Sequence, residues 1–222
     1  MNGAPRRHSH RTRSAFVDWH GAIAVITLNR PGYGNVADAE ISATFSAAME
    51  TFAGDQALRV GIVTGTGDTF CAAADISALT AGRTSAYRGF ADFVRHQVGK
   101  PLIAAVNGLA SDGGLDLILG CDAAIVSSEA TLRPRQARDS VFTTDVLEPE
   151  TALRCGIIDR IVHPHEVLPE AWRLARALAV TPPGPEGIAA AVTRRRGAGT
   201  PHFRRGESAG CQNCRPQPLA RE

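Results

Sequence analysis

A chain of 222 residues, 44% hydrophobic and 5% aromatic, suits one domain with tails and a core of Ala, Val, Leu and Ile. No apolar run approaches the roughly 18 residues of a membrane span, and the Arg-rich start lacks the apolar segment of a secretory signal. The net charge of +2 divides into +4 over residues 1–14, +5 over 194–222 and −7 over the body. Neither basic end interleaves aromatics for stacking on bases, so both read as solvated tails, with no nucleic acid and no membrane as partner. The five cysteines, 71, 121, 155, 211 and 214, are odd in number and scattered, which fits a reduced, cytoplasmic compartment. Cys211 and Cys214 have zinc-ligand spacing, but a structural site needs four ligands. No metal is expected.

In chain order, Ala22 to Leu28 is apolar and β-branched and reads as a strand ended by Asn29-Arg30-Pro31-Gly32. Asp38 can cap a helix whose Ile41, Phe45, Met49 and Phe52 share one face. Val60 to Thr64 is a second strand, closed by the turn Gly65-Thr66-Gly67. Small residues run from Cys71 to Ala74, and Asp75 suits the start of a short helix to Leu79. Phe90, Val94 and Val98 have helical spacing. Leu102 to Val106 reads as a buried strand, a helix-like run follows over 113–120, and Ala123 to Val126 is another strand. Strand–helix alternation of this kind is α/β.

The segment Lys100 to Asp122 carries the most chemistry. Asn107-Gly108 breaks its strand, and Gly113-Gly114 opens the helix. Glycines there let backbone N–H groups approach a ligand closely. Those groups lack intrahelical partners and carry the positive end of the dipole, so the turn can bind an oxyanion. Asp116 follows in the first turn, placed for acid/base work or simply to complement the dipole.

Lys100-Pro101, Ala104-Ala105-Val106-Asn107-Gly108, Gly113-Gly114, Asp116-Leu117 and Cys121-Asp122 together resemble the signature of the enoyl-CoA hydratase/isomerase (crotonase) family. Gly21 to Pro31 with Asn35, Val60 to Ile76, and Glu150 to Val162 agree in the expected order. The resemblance implies a crotonase-like (ClpP/crotonase) spiral of ββα turns over 15–196, flanked by a basic disordered tail 1–14 and an atypical tail 197–222. It also implies an acyl-CoA thioester as substrate and no separate cofactor.

Matched position by position, the family's oxyanion donors fall on the backbone N–H groups of Ala74 and Gly113. The first catalytic glutamate falls on Asp116, about 1.5 Å shorter in reach. The second falls on Gln136, whose neutral amide orients water but exchanges no proton; Asp139 lies three residues on. Contacts to the thioester and to coenzyme A fall on Asn35, Val36, Cys71, Ala72, Ala73, Ala74, Asp75 and Gly113. Ala73 replaces the usual Gly, Asp112 the first Gly of the Gly-Gly-Gly run, and Gly34 a basic residue, leaving Arg30 as the nearby cation.

Two stretches depart from the family. Ser140 to Val146 runs almost directly into Leu147, where relatives carry a Gly-rich loop and a helix lining the acyl pocket. The helical C-terminal part gives way at Gly197 to a Pro/Arg/Gly-rich tail, as a deletion or a shifted reading frame would produce, and the family trimer should weaken or be lost. The leading expectation is an impaired enoyl-CoA hydratase of fatty-acid metabolism. The alternatives are an inactive homologue that binds acyl-CoA or a partner subunit, and an isomerase or thioesterase using Asp116 alone.

Overall fold

The computed structural model describes residues 9–11, 14–36, 39–72, 99–134 and 146–180. Among them, seven strands form one sheet in the order β1-β2-β3-β4-β6-β8-β10, and three form a second in the order β5-β7-β9. The larger sheet comprises β1 (Ser9–Arg11), β2 (Ala15–His20), β3 (Ile23–Leu28), β4 (Val60–Gly65), β6 (Leu102–Val106), β8 (Ala123–Ser127) and β10 (Arg160–Val162). The smaller holds β5 (Thr69–Cys71), β7 (Leu109–Ser111) and β9 (Leu132–Arg133). From β3 onward the large sheet is parallel.

The chain alternates between sheets: β4 then β5, β6 then β7, β8 then β9. Each pair starts in the large sheet and turns a corner into the small one, which is the ββα spiral expected of this sequence. One side chain recurs at the junctions. Asp122 Oδ2 accepts the Leu102 amide at 2.9 Å, and Asp159 Oδ2 accepts the Ala124 amide at 2.8 Å. In each case an Asp just ahead of one strand satisfies an N–H near the start of its neighbour, so successive turns are stapled the same way.

Helix α1 (Ala39–Gly54) buries the face expected from spacing, with Ile41, Phe45 and Met49 at 0% and Phe52 at 1% exposure. It shares one core with Ala24, Ile26, Leu28 and Val63 of the large sheet and with Leu115, Leu117 and Ile118 of helix α2 (Gly113–Gly120). The sheet's other face, Ile23, Val25, Val60, Ile62, Ile103 and Ile125, packs on Val167, Ala171, Leu174 and Leu178 of helix α4 (Val167–Ala179). A short helix α3 (Pro149–Arg154) precedes β10. Burial on both faces explains why strands β4, β6 and β8 read as continuous apolar runs rather than alternating ones.

The N-terminal segment corrects one expectation. Ser9–Arg11 lies within the stretch read as a disordered tail, yet it pairs antiparallel with Phe16–Asp18 at the sheet edge. Edge pairing runs through backbone groups, so a polar, Arg-rich segment can supply it without an apolar face. The expected helices near 75–79 and 87–98 lie outside the described residues.

Candidate functional site

Helix α2 starts against the small sheet. Gly113 and Gly114 are buried at its first two positions, and a Cβ on Gly114 would sit 2.1 Å from the Cys71 carbonyl oxygen. Only glycine lets the end of β5 and the helix start meet this closely. The residue before the helix is Asp112, at φ 46°, ψ −105°, a conformation that costs a residue with a Cβ of order 1–3 kcal/mol. Its side chain makes no capping hydrogen bond. Its carbonyl accepts the Asp116 amide at 3.0 Å, which places the partly exposed Asp116 in the first turn.

The loop after β3 reaches the same corner. The Ala72 amide donates to the Gly34 carbonyl at 2.8 Å. Asn35, fully buried at φ 51°, spends its whole side-chain amide on backbone. Its Oδ1 accepts the Arg30 amide at 2.7 Å, and its Nδ2 donates to the carbonyls of Thr66 at 3.0 Å and Thr69 at 2.6 Å. Asn107 Nδ2 donates to the carbonyls of Gly67 at 2.7 Å and Thr69 at 3.3 Å, while its Oδ1 accepts the Gly65 amide at 3.2 Å. Two asparagines from successive turns of the spiral therefore converge on one carbonyl. Gly108 beside Asn107 is as constrained as Gly114, with a Cβ position 1.8 Å from the Asp68 carbonyl oxygen.

A scan against family models matches residues 18–135 to Enoyl-CoA hydratase/isomerase. The chain belongs to the enoyl-CoA hydratase/isomerase family. It is 35% identical over 193 residues to a carnitinyl-CoA dehydratase of Salmonella arizonae, covering 74% of each chain. It is 30% identical over 183 residues to a crotonyl-CoA hydratase of Syntrophomonas wolfei, covering 69% of this chain and 70% of the relative. The solved structure of a carnitinyl-CoA hydratase from Mycobacterium avium superposes with TM-score 0.68 at 28% identity, over 83% of this chain and 80% of the other.

Of the positions matched to the family's site, the structure gathers Asn35, Val36, Cys71, Ala72, Gly113 and Asp116 around the junction of β5, the loop after β3 and the start of α2. Ala73, Ala74, Asp75, Gln136 and Asp139 lie outside the described residues, as do Cys211 and Cys214. Among the described residues no cluster of His, Cys, Asp and Glu is arranged to hold a metal ion, and no helix is long and apolar enough to cross a membrane. Arg30 lies over the Tyr33 ring, 4.7 Å from its centroid, at the rim of the loop. The sequence marks Asn107 as a strand breaker and as part of the family signature, but not as a clamp on turn carbonyls. The signal was an amide side chain where a buried strand ends, a place where turn carbonyls need donors.

A second feature of this family member lies on the α4 face of the large sheet, away from α2. A cavity of about 440 Å³ is lined by Asp18, His20, Thr64, His165 and Trp172, among others. The His20 and Trp172 rings meet edge to face with centroids 5.1 Å apart.

Proposed function

We propose that this chain binds 2-enoyl-CoA thioesters at the start of α2 and catalyses hydration of their double bond weakly. The observation that carries the reading is the tight seat of Gly113-Gly114 on β5 with Asp116 in the first turn of the helix. The buried start of a helix supplies unpaired N–H donors and positive potential where a thioester oxygen would gain charge. Preorganised donors at such a point are worth about 10²–10³ in rate each. The Gly113 amide takes that role, paired with the amide of Ala74.

Water adds at the β-carbon as the Asp116 carboxylate removes its proton, and the carboxylic acid so formed returns that proton to the α-carbon. Hydration needs both transfers. Gln136 can hold water but cannot exchange a proton, and Asp116 has the shorter arm. Turnover is therefore expected at least about 10³-fold below that of a relative with two glutamates. The names of the relatives make crotonyl-CoA and carnitinyl-CoA the first thioesters to assay.

The test follows loss of enoyl absorbance with purified protein and crotonyl-CoA, with titration calorimetry against the same thioester beside it. Slow hydration with measurable binding supports the reading. Binding without turnover favours the non-catalytic homologue. Turnover near the diffusion limit overturns the impairment, and failure to bind any CoA thioester overturns the site. The same family reading makes the trimer vulnerable where residues 197–222 depart from the family pattern, so light scattering should report a monomer or a mixture.

A further inference from the structure

We propose that Asn35 and Asn107 are positioning residues for the thioester site, acting together through the Thr69 carbonyl they share; this rests on the acyl-CoA reading above. The two strands that lead to the site, β5 and β7, are badly suited to fix their own offset. Their ladder pairs Thr69 with Leu109 and then Cys71 with Ala110, so two steps on β5 oppose one on β7. An irregularity of this kind interrupts the ladder that would otherwise set register.

The asparagines supply what the ladder lacks. Asn35 holds Thr66 and Thr69 from the loop after β3. Asn107 holds Gly65, Gly67 and Thr69 from the end of β6. The turn between β4 and β5 is thus gripped from both sides, directly before the irregular step. Beyond that step the Cys71 carbonyl lies against Gly114 with no room for a methyl group, so a displacement of β5 is transmitted to the first turn of α2. The Gly113 amide, buried in that turn, then changes direction relative to a bound thioester oxygen. Misplacement of about 1 Å is enough to cost on the order of 10²-fold in rate.

This role differs from direct contact with coenzyme A, the role the family pattern suggests for Asn35. All of its side-chain hydrogen-bonding groups already have backbone partners, and the residue is fully buried. A positioning residue acts on the polarised thioester rather than on affinity for the nucleotide.

The probe is cinnamoyl-CoA, whose absorption moves to longer wavelength when its thioester oxygen accepts strong hydrogen bonds. The parent, Asn35→Gly and Asn107→Ala are each saturated with it well below their thermal midpoints. Asn35→Gly keeps the positive φ and removes the clamp. Near-UV circular dichroism checks the fold, and if Asn35→Gly does not fold, the half-buried Asn107 carries the test alone. The expected result is a red shift in the parent that falls by roughly half or more in the variants, with the dissociation constant changed less than about threefold. Variants that melt earlier yet show the parent's shift at saturation overturn the proposal and leave the acyl-CoA reading standing. The same holds if Asn35→Gly weakens binding of coenzyme A itself and leaves the shift intact, since that is direct contact. A parent that neither binds nor shifts the probe overturns the acyl-CoA reading and the positioning role together.

Discussion

The Asp112 carbonyl accepts the amide of Asp116 at 3.0 Å, so the two aspartates on either side of Gly113-Gly114-Leu115 are joined, backbone to backbone, by the first hydrogen bond of helix α2. One of them, Asp112, holds the backbone that the other needs, but in a conformation suited to glycine, at φ 46° and ψ −105°. Asp112→Gly should relieve that strain. Glycine gives back part of the gain through the entropy of the unfolded chain, leaving about 1 kcal/mol net, or roughly 2–4 °C in thermal midpoint. It also removes an anion next to the proposed oxyanion donor. Thermal unfolding and crotonyl-CoA turnover should both rise. A fall in midpoint would show that the Asp112 side chain has a stabilising role outweighing its strain.

Asp116 separates binding from proton transfer. Asp116→Asn keeps shape and removes the base, so hydration should fall by about 10²-fold or more while affinity for a CoA thioester changes little. Asp116→Glu restores the missing methylene and should raise turnover by about tenfold. Steady-state kinetics with calorimetry on each variant checks both directions. Equal activity in all three would place the chemistry elsewhere.

Most of this was legible in the sequence where periodicity or a motif carried it. The four residues on the buried face of α1, strands β3, β4, β6 and β8, and the bounds of α2 follow from apolar spacing and Gly-Gly alone. The small sheet did not. Its strands are two or three residues long, too short for any alternation to register. Their pairing is set by corner geometry, by glycines at 108 and 114 that admit neighbouring backbone, and by the amides of Asn35 and Asn107. Edge strand β1 hid within a charged segment because its contribution is backbone pairing. The spiral is implied by the family resemblance alone, because its repeat lies in one staple, Asp122 to Leu102 and Asp159 to Ala124, rather than in recurring apolar residues.

Gly114 and Gly54 make a matched pair. A methyl group on Gly114 would meet the Cys71 carbonyl oxygen at 2.1 Å, a backbone atom that cannot swing aside, whereas nothing lies within 4 Å of the Cβ position at Gly54. Gly114→Ala should therefore cost several kcal/mol, of order 3, and abolish thioester binding. Gly54→Ala, at the last position of α1, should change stability by no more than about 1 kcal/mol. Urea unfolding of both variants measures the contrast. Near-equal midpoints would mean that α2 can slide off β5, and that the close seat of the site is not required by the fold.

Lys100, the single lysine in the chain, ends helix α1 from across the fold. Its Nζ donates to the Phe52 carbonyl at 2.5 Å and the Asp55 carbonyl at 2.6 Å, and lies 5.2 Å from the centroid of the Phe52 ring. A cation there satisfies carbonyls left over at the helix C-terminus and faces the negative end of its dipole. Lys100→Met keeps the stem and loses the donors, and should destabilise by about 1 kcal/mol, or roughly 2–4 °C. The pH dependence has a definite sign. Burial lowers the Lys100 pKa from 10.5, with Asp55 pulling it partly back. The folded chain then binds this proton less tightly than the unfolded chain. Between the lowered value and 10.5 the unfolded state carries more protons, so this group makes stability rise with pH there. At neutral pH the lysine is charged in both states and its desolvation cost is present in full. The gap in thermal midpoint between parent and Lys100→Met should therefore widen as pH climbs toward 10.5. A gap that narrows over that range would mean that the charge on Lys100, rather than its donors, makes the cap.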